Sequence, residues 1–426
     1  MRDRAFRLGV LNGALFEVVV TVMQPSLVLS AFFLKLTDST FLAALPSALM
    51  HIGMLWPQLF VAHIAEGMPR KKPIYVWAGL ARIVSLAIMA LVAMQMTDAD
   101  ANGLVLFFAL TYFIYVSANG AGGIGFMDMV AKTIPKTRRG SFMAMRVFFG
   151  GLVGGATGLY VRHMLGDGGP VFPDNYALLF ATASLFLVLA VSAFAAVDEP
   201  AGQIVRERAP LRMQLSRGWS IVREDRNYRL LVWVRVLLSS TMIGQVVFVP
   251  YALKALELPE SIIGVLMIAA TCFSLPSNFV WGHLGDRYGN RLLLLVGSLI
   301  FMLAPLCALV SWYVPSVQLM AFLPESYDAR ALLFIAAFVL AGIGTRGAFM
   351  GSTNYFLEIA PEDRRPSYQA FMRLLQAPAA LMPLLGGRIA EQFSFQATFF
   401  IACMGGLATC ALAWCLGEPR RDSQVD

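Results

Sequence analysis

Long apolar runs separated by short polar segments set the rhythm of this 426-residue chain. Twelve of the runs reach the roughly 20 residues a helix needs to cross about 30 Å of hydrocarbon: 8–33, 41–64, 73–94, 104–130, 141–161, 176–196, 230–253, 261–281, 292–312, 331–356, 368–389 and 396–416. Each predicts a transmembrane helix, and the longest polar stretch, 197–229, parts them six and six. The expected organisation is an N-terminal six-helix bundle (1–196), a linker (197–229), and a C-terminal six-helix bundle with a short tail (230–426). In the linker Leu211, Leu215, Trp219 and Val222 recur at helical spacing, with Arg212, Arg217, Arg223 and Arg226 around the remaining face. That pattern suits a helix lying in the lipid headgroup layer, a basic regulatory helix being the alternative.

Composition agrees with this reading. Hydrophobic residues make up 58% of the chain and charged residues 14%, with a mean hydropathy of +0.68, against about one quarter charged in a soluble globule. The bases are unevenly placed. Arg2, Arg4 and Arg7, Arg70 to Lys72, Lys132 to Arg139, seven arginines from Arg206 to Arg229, Arg287 and Arg291, Arg364 and Arg365, and Arg420 and Arg421 fall on one side of the predicted spans. Lys35, Arg162, Lys254, Arg330 and Arg388 fall on the other. Because cytoplasmic loops retain Lys and Arg, both termini are expected in the cytoplasm of a multi-pass plasma (inner) membrane protein. The net charge of +7 is then a topology signal and excludes no more than a need for nucleic acid to explain it. The first run is full length and lacks a small-x-small cleavage site, so an uncleaved anchor is expected.

The chain also repeats itself. Gly282-His283-Leu284-Gly285-Asp286-Arg287-Tyr288-Gly289-Asn290-Arg291 has a worn copy in His63-Ile64-Ala65-Glu66-Gly67-Met68-Pro69-Arg70-Lys71, 220 residues earlier. Ile134-Pro135-Lys136-Thr137-Arg138-Arg139-Gly140-Ser141-Phe142 is matched 226 residues later by Ala360-Pro361-Glu362-Asp363-Arg364-Arg365-Pro366-Ser367-Tyr368, each followed by an Arg (Arg146, Arg373). Two near-equal offsets indicate parallel duplicated halves.

Ionisable residues deep in apolar runs are the sharpest candidates, since each is costly there. Glu17 lies about nine residues, or ~14 Å, into the first span. Gly13, Glu17, Thr21 and Gln24 make one polar face. A desolvated carboxyl favours its neutral form, so Glu17 either exchanges a proton or is fixed by an Arg or the backbone. Arg346 on the tenth span shares a face with Gly342, Met350 and Thr353. Tyr112, Tyr115, Asn119 and Gly122 share one on the fourth, and Arg235, Ser239, Thr241 and Gln245 supply polar groups on the seventh. Arg146 and Arg373 either reach the inner interface or meet Asp128 and Glu358; Arg82 has no evident partner. Cys272, Cys307, Cys403, Cys410 and Cys415 read as small core hydrophobes, and the four histidines are scattered, so no metal and no cofactor is expected.

The motif Gly282-x-Leu284-x-Asp286-Arg287-x-Gly289-x-Arg291 between the eighth and ninth spans, with its worn copy between the second and third, resembles the signature loop of the major facilitator superfamily. The Arg70-Lys71-Lys72-Pro73 and Arg82 context is similar to a bacterial branch of it. The first copy departs from the family pattern in having Glu66 for Asp and Met68-Pro69 where glycine is usual. The resemblance implies an all-α integral membrane fold of twelve transmembrane helices in two pseudo-symmetric bundles, and a secondary active transporter moving a small solute by alternating access. A non-transporting sensor or assembly factor on the same scaffold is the alternative. It places the first, fourth, seventh and tenth spans around a central site, so that Glu17 would carry coupling protons while Arg346, Gln24, Thr21, Asn119, Tyr115, Arg235 and Gln245 would bind an anionic or drug-like substrate. Arg346 would otherwise pair with Glu17 across the halves. Asp286, Arg287, Arg291, Glu66, Arg138, Arg139, Arg364 and Arg365 would gate the cycle, Asp286 pairing with Arg287 or a loop arginine and Glu66 with Arg138 or Arg139. Gly150, Gly154 and Gly158 resemble the family's glycine-rich fifth-helix motif without its Pro, and close packing is their immediate consequence. The partners implied are a small molecule, protons and lipids, with the protein a monomer. No Gly-x4-Gly-Lys-Ser/Thr loop supplies ATP binding, and no nucleophile–base constellation marks an enzyme.

Overall fold

The computed structural model describes residues 2–96, 101–202, 223, 225–318, 327–360 and 365–418. These residues form helices in the order α1 (Arg2–Val22), α2 (Val28–Thr37), α3 (Thr40–Ala43), α4 (Leu45–Glu66), α5 (Lys72–Met94), α6 (Ala101–Thr133), α7 (Arg139–Met164) and α8 (Asp174–Ala195). The second half gives α9 (Arg226–Ser240), α10 (Met242–Gln245), α11 (Phe248–Lys254), α12 (Ile262–Tyr288), α13 (Asn290–Ser311), α14 (Ala329–Ile359), α15 (Arg365–Gln376), α16 (Met382–Gln392) and α17 (Phe395–Trp414). Eleven stretches among the described residues are long and apolar enough to cross a membrane. The expected span 368–389 is not one continuous helix: Pro378 and Pro383 divide it into α15, a 3₁₀ turn over Ala377–Leu381, and α16. Proline removes an N–H and clashes with the preceding turn, so a break is the physical outcome.

The first span is also broken. α1 stops at Val22, ahead of Gln24-Pro25, and α2 resumes at Val28, the Gln24 carbonyl accepting from Leu27 N and Leu29 N. In the seventh, the hydroxyls of Ser240 and Thr241 bond back to the carbonyls of Leu237 and Leu238, where α9 ends, a local competition with the helical ladder. Other ends are capped: Asp225, Asp328 and Ser394 accept from the N–H groups of Tyr228, Ala331 and Ala397.

The chain divides into two compact units, Met1–Glu207 with Pro259–Ile268, and Arg208–Leu258 with Ala269–Asp426. In the first, α1 packs along α7 and α8, α5 along α6 and α8, and α4 along α6. Its core is aromatic: Phe32 meets Phe108, Tyr176 and Phe180 with ring centroids 4.7, 5.1 and 5.3 Å apart, all four buried. In the second, α13 packs along α14 and α17, and α17 along α9, over Tyr228, Leu231, Leu294, Tyr355 and Met372. Large apolar side chains such as Trp77, Leu106 and Phe279 are exposed. Burial inside and hydrocarbon side chains outside describe a multi-pass protein whose solvent is lipid.

Candidate functional site

Glu17 projects from α1 onto the glycine stripe of α7. A methyl group placed on Gly154 would lie 3.2 Å from Glu17 Cγ and 3.5 Å from Thr21 Oγ1, and one on Gly150 3.5 Å from Glu17 Oε2. The glycines expected to serve helix packing therefore make room for a carboxyl and a hydroxyl. One turn back, Gly13 does the same for Arg146 of α7, whose Cζ would stand 2.9 Å from a methyl group there. Arg146 donates to the Gly9 carbonyl and to Asn12 Oδ1 (2.9 Å), lies over the Phe126 ring at 4.6 Å, and feels the Glu17 carboxyl electrostatically. It does not bond Asp128, which is held instead by Lys71 and Lys132 (both 2.6 Å).

Beside this pair lies a cavity of about 210 Å³ inside the first unit, lined by Asn12, Phe16, Tyr75, Arg82, Asn119 and Arg146 among others. Arg82 sits ten residues into α5, about 15 Å along it, and is 4% exposed. It donates to Asn119 Oδ1 (2.9 Å) and the Ala78 carbonyl (3.3 Å), and stands 5.6 Å over Phe16. Asn12 donates to Tyr75 Oη (3.0 Å) and to the Ala190 carbonyl (2.7 Å), which fixes the amide that receives Arg146. No carboxylate lines this cavity. Of the expected site residues, Asn119 is thus in the cavity as the partner of Arg82, and Tyr115 is buried one turn away, stacked on Tyr112 at 5.9 Å. Gln24 lies at the α1–α2 break.

The second unit holds its own polar cavity of about 220 Å³, lined by Arg235, Ser239, Gln245, Thr345, Ser352 and Gln376 with apolar neighbours. Arg235 donates to Ser352 Oγ (3.3 Å) and Thr353 Oγ1 (3.1 Å). Its Nε is buried without an acceptor among the described residues, and Arg373 adds a second positive charge nearby. Arg346 is exposed and stands outside this lining.

At the signature loop, α12 ends at Tyr288 and α13 begins at Asn290, with Gly289 between them at φ 91°. Asn290 Nδ2 donates to Glu358 Oε1 (2.8 Å), Arg291 donates to the Trp414 carbonyl, and Glu418 Oε1 lies 2.8 Å from where a Gly289 side chain would begin. Asp286 and Arg287 are exposed, and Arg287 lies 5.4 Å over the Tyr288 ring. In the worn copy Glu199 takes the position Glu418 takes here: its carboxylate accepts from Lys71 N (2.8 Å) and Lys72 N (2.6 Å) at the start of α5 and pairs with Lys132 (2.7 Å). Arg138 pairs with Asp3 at 2.7 Å, and Arg139 donates to the carbonyls of Ile134 and Ala131. The side chains of Glu66 and Arg365, and Arg364 entirely, lie outside the described residues. Sequence reasoning missed Glu199 and Glu418; their spacing of 219 residues was the available signal.

Two helical units, each with a charge-pinned loop and a polar pocket beneath an apolar exterior, describe a polytopic membrane protein. Residues 237–426 match the sequence model of the Major Facilitator Superfamily. Sugar efflux transporter A of Dickeya chrysanthemi is 28% identical over 195 residues, 44% of each chain, and an MFS-type transporter of Claviceps purpurea is 27% identical over 149 residues, 34% of this chain and 23% of that one. The matched stretches span less than half the length of these curated relatives. Among solved structures, a bacterial homologue of the iron transporter ferroportin in an inward-facing state superposes with a TM-score of 0.73 at 13% identity, covering 97% of this chain and 98% of that one. The D-xylose–proton symporter gives 0.69 at 14%, covering 98% of each. The C-terminal half, which carries the Gly282–Arg291 loop, is thus similar to the major facilitator superfamily, whose signature loop that motif resembles.

Proposed function

We propose that this protein is a secondary transporter that moves a small solute across the membrane by alternating access, with Glu17 as the proton-coupling group. The observation that carries the coupling role is the seat of Glu17: a carboxyl within an apolar span, packed on Gly150 and Gly154 and within electrostatic reach of Arg146. A proton arriving on Glu17 removes the charge that Arg146 feels, which is the local change a two-state cycle needs. Thr21, Gln24, Asn119 and Tyr115 in the first unit, and Arg235, Gln245 and Arg346 in the second, would contact solute along the path. Asp286, Arg287, Arg291, Glu66, Arg138, Arg139, Arg364 and Arg365 would bias the gate from the inner face, with both termini in the cytoplasm, lipid around a monomer, and the plasma (inner) membrane as its home. The relatives named for sugar efflux and D-xylose–proton symport make small polar metabolites the first solutes to try.

Proteoliposomes carrying the purified protein and an imposed pH gradient test this. Glu17→Gln, a permanently neutral stand-in for the acid, is expected to abolish uphill accumulation of a transported solute while solute-for-solute exchange continues. Normal proton-driven accumulation in that variant would remove the coupling role, and the absence of any flux in the native protein across a metabolite panel would remove the transport reading.

A further inference from the structure

We propose that the cavity of the first unit is a binding site for a small organic anion, which offers a carboxylate or phosphate group to Arg82 and Arg146. Three observations converge on it. Arg82 is almost fully buried, yet its side-chain partner is a neutral amide, Asn119, and its other acceptor is one backbone carbonyl. Arg146, the second guanidinium at the cavity, likewise bonds a carbonyl and an amide oxygen. No Asp or Glu lines the space. Two guanidinium groups thus face a pocket whose lining supplies no carboxylate, Glu17 acting on Arg146 from outside it, and such groups in this setting mark ligand pathways.

The geometry selects the class of ligand. Guanidinium is a planar fork that matches the paired oxygens of a carboxylate or phosphate. Tyr75 Oη and the Asn12 and Asn119 amides stand beside the two forks and are anchored by their own hydrogen bonds, so the polar surface is pre-set before a ligand enters. At about 210 Å³ the cavity is smaller than the roughly 300–1,000 Å³ of sites for drug-sized molecules. It suits an acid of a few carbons. Glu17 lies outside the lining but near Arg146, so an anion in the cavity and a charged Glu17 would draw on the same guanidinium. Protonation of Glu17 would then favour anion binding, which ties the site to the proposed proton cycle. The anion site rests on the transport reading for that cycle alone; binding stands without it.

The test uses the purified full-length protein in detergent at constant ionic strength, with thermal unfolding and calorimetric titration as readouts. Succinate and glycerol 3-phosphate are compared with their uncharged counterparts, succinamide and glycerol. At least one of the two acids should raise Tm and bind, with no effect from its neutral partner; which one does so separates carboxylate from phosphate. Arg82→Lys keeps a charge but loses the fork and should weaken binding about tenfold or more. Asn119→Asp supplies an internal carboxylate to Arg82. It should raise the Tm of the ligand-free protein and abolish anion binding, a pairing of effects that a merely structural Arg82 would not produce. The proposal is overturned if neither acid binds the native protein, or if binding survives unchanged in Asn119→Asp and Arg82→Lys. Anion binding without flux in proteoliposomes would instead sink the transport reading and leave the site standing. Flux of a neutral solute with neither acid binding the native protein would do the reverse.

Discussion

Glu199 shows how one side chain fastens several elements. Its carboxylate, fully withdrawn from solvent, accepts two N–H groups at the start of α5 and holds Lys132 of α6. An acid there meets the positive end of the helix as well as the ammonium group. Glu199→Ala leaves two helix-end donors without that acceptor, while Lys132 keeps Asp128 and the Pro69 carbonyl, so we expect a loss of about 3 kcal/mol, the lower end of the range for breaking buried pairs. Thermal or denaturant unfolding in detergent measures it. Glu199→Gln should recover part of the loss, because its amide oxygen still accepts an N–H. None of this was readable at position 199: the partners are 67 and 127 to 128 residues away, and no local pattern announces them. Glu17 was legible by contrast, since an acid inside an apolar run stands out in one dimension.

Among the elements, α13 and α14 cross with their backbones nearly touching. A methyl group on Gly344 would lie 2.3 Å from Phe301 N, and one on Gly297 2.3 Å from Ala348 N. Lipid tails offer no hydrophobic drive to hold helices together, so backbone proximity and the dispersion it allows take that role. Gly344→Leu is expected to push the helices apart and sharply reduce folded, monodisperse protein in size-exclusion chromatography, while a substitution at Gly282, which faces open space, should leave it unchanged. The apolar runs gave these spans correctly, and Pro378 and Pro383 marked the eleventh as bendable. The break after Val22 was not foreseen, because Gln24-Pro25 lies within a run apolar enough to pass as one helix.

At the scale of the whole molecule the charge asymmetry makes a direct prediction. Gly168→Cys should react with a membrane-impermeant thiol reagent in intact cells, and Thr137→Cys should not, after removal of the native cysteines. Labelling of Thr137→Cys from outside would overturn the orientation. The signature loop makes a second one. Asp286 is exposed while its neighbours Asn290 and Arg291 are tied to Glu358 and Trp414, so Asp286→Asn should slow transport while leaving Tm nearly unchanged, the signature of a residue that weights one state against another. A large drop in Tm, or an unaltered transport rate, would deny it that role.

The sequence by itself determined what depends on counting along a line. The apolar runs, the charge asymmetry and the duplication can be read from one segment at a time and from the register of two motifs, because a bilayer imposes its thickness and its charge rule on each segment separately. Tertiary structure decided the partners. Arg82 read as a base with no evident partner, and folding placed it beside Asn119 in a pocket with Arg146; for Arg146 the inner interface and Asp128 were both open, and Lys71 and Lys132 occupy Asp128. The glycines of α7 read as packing residues, and only the approach of α1 showed that they accommodate Glu17. Such pairings depend on which faces of distant helices meet, and helical periodicity fixes a face without naming the face opposite.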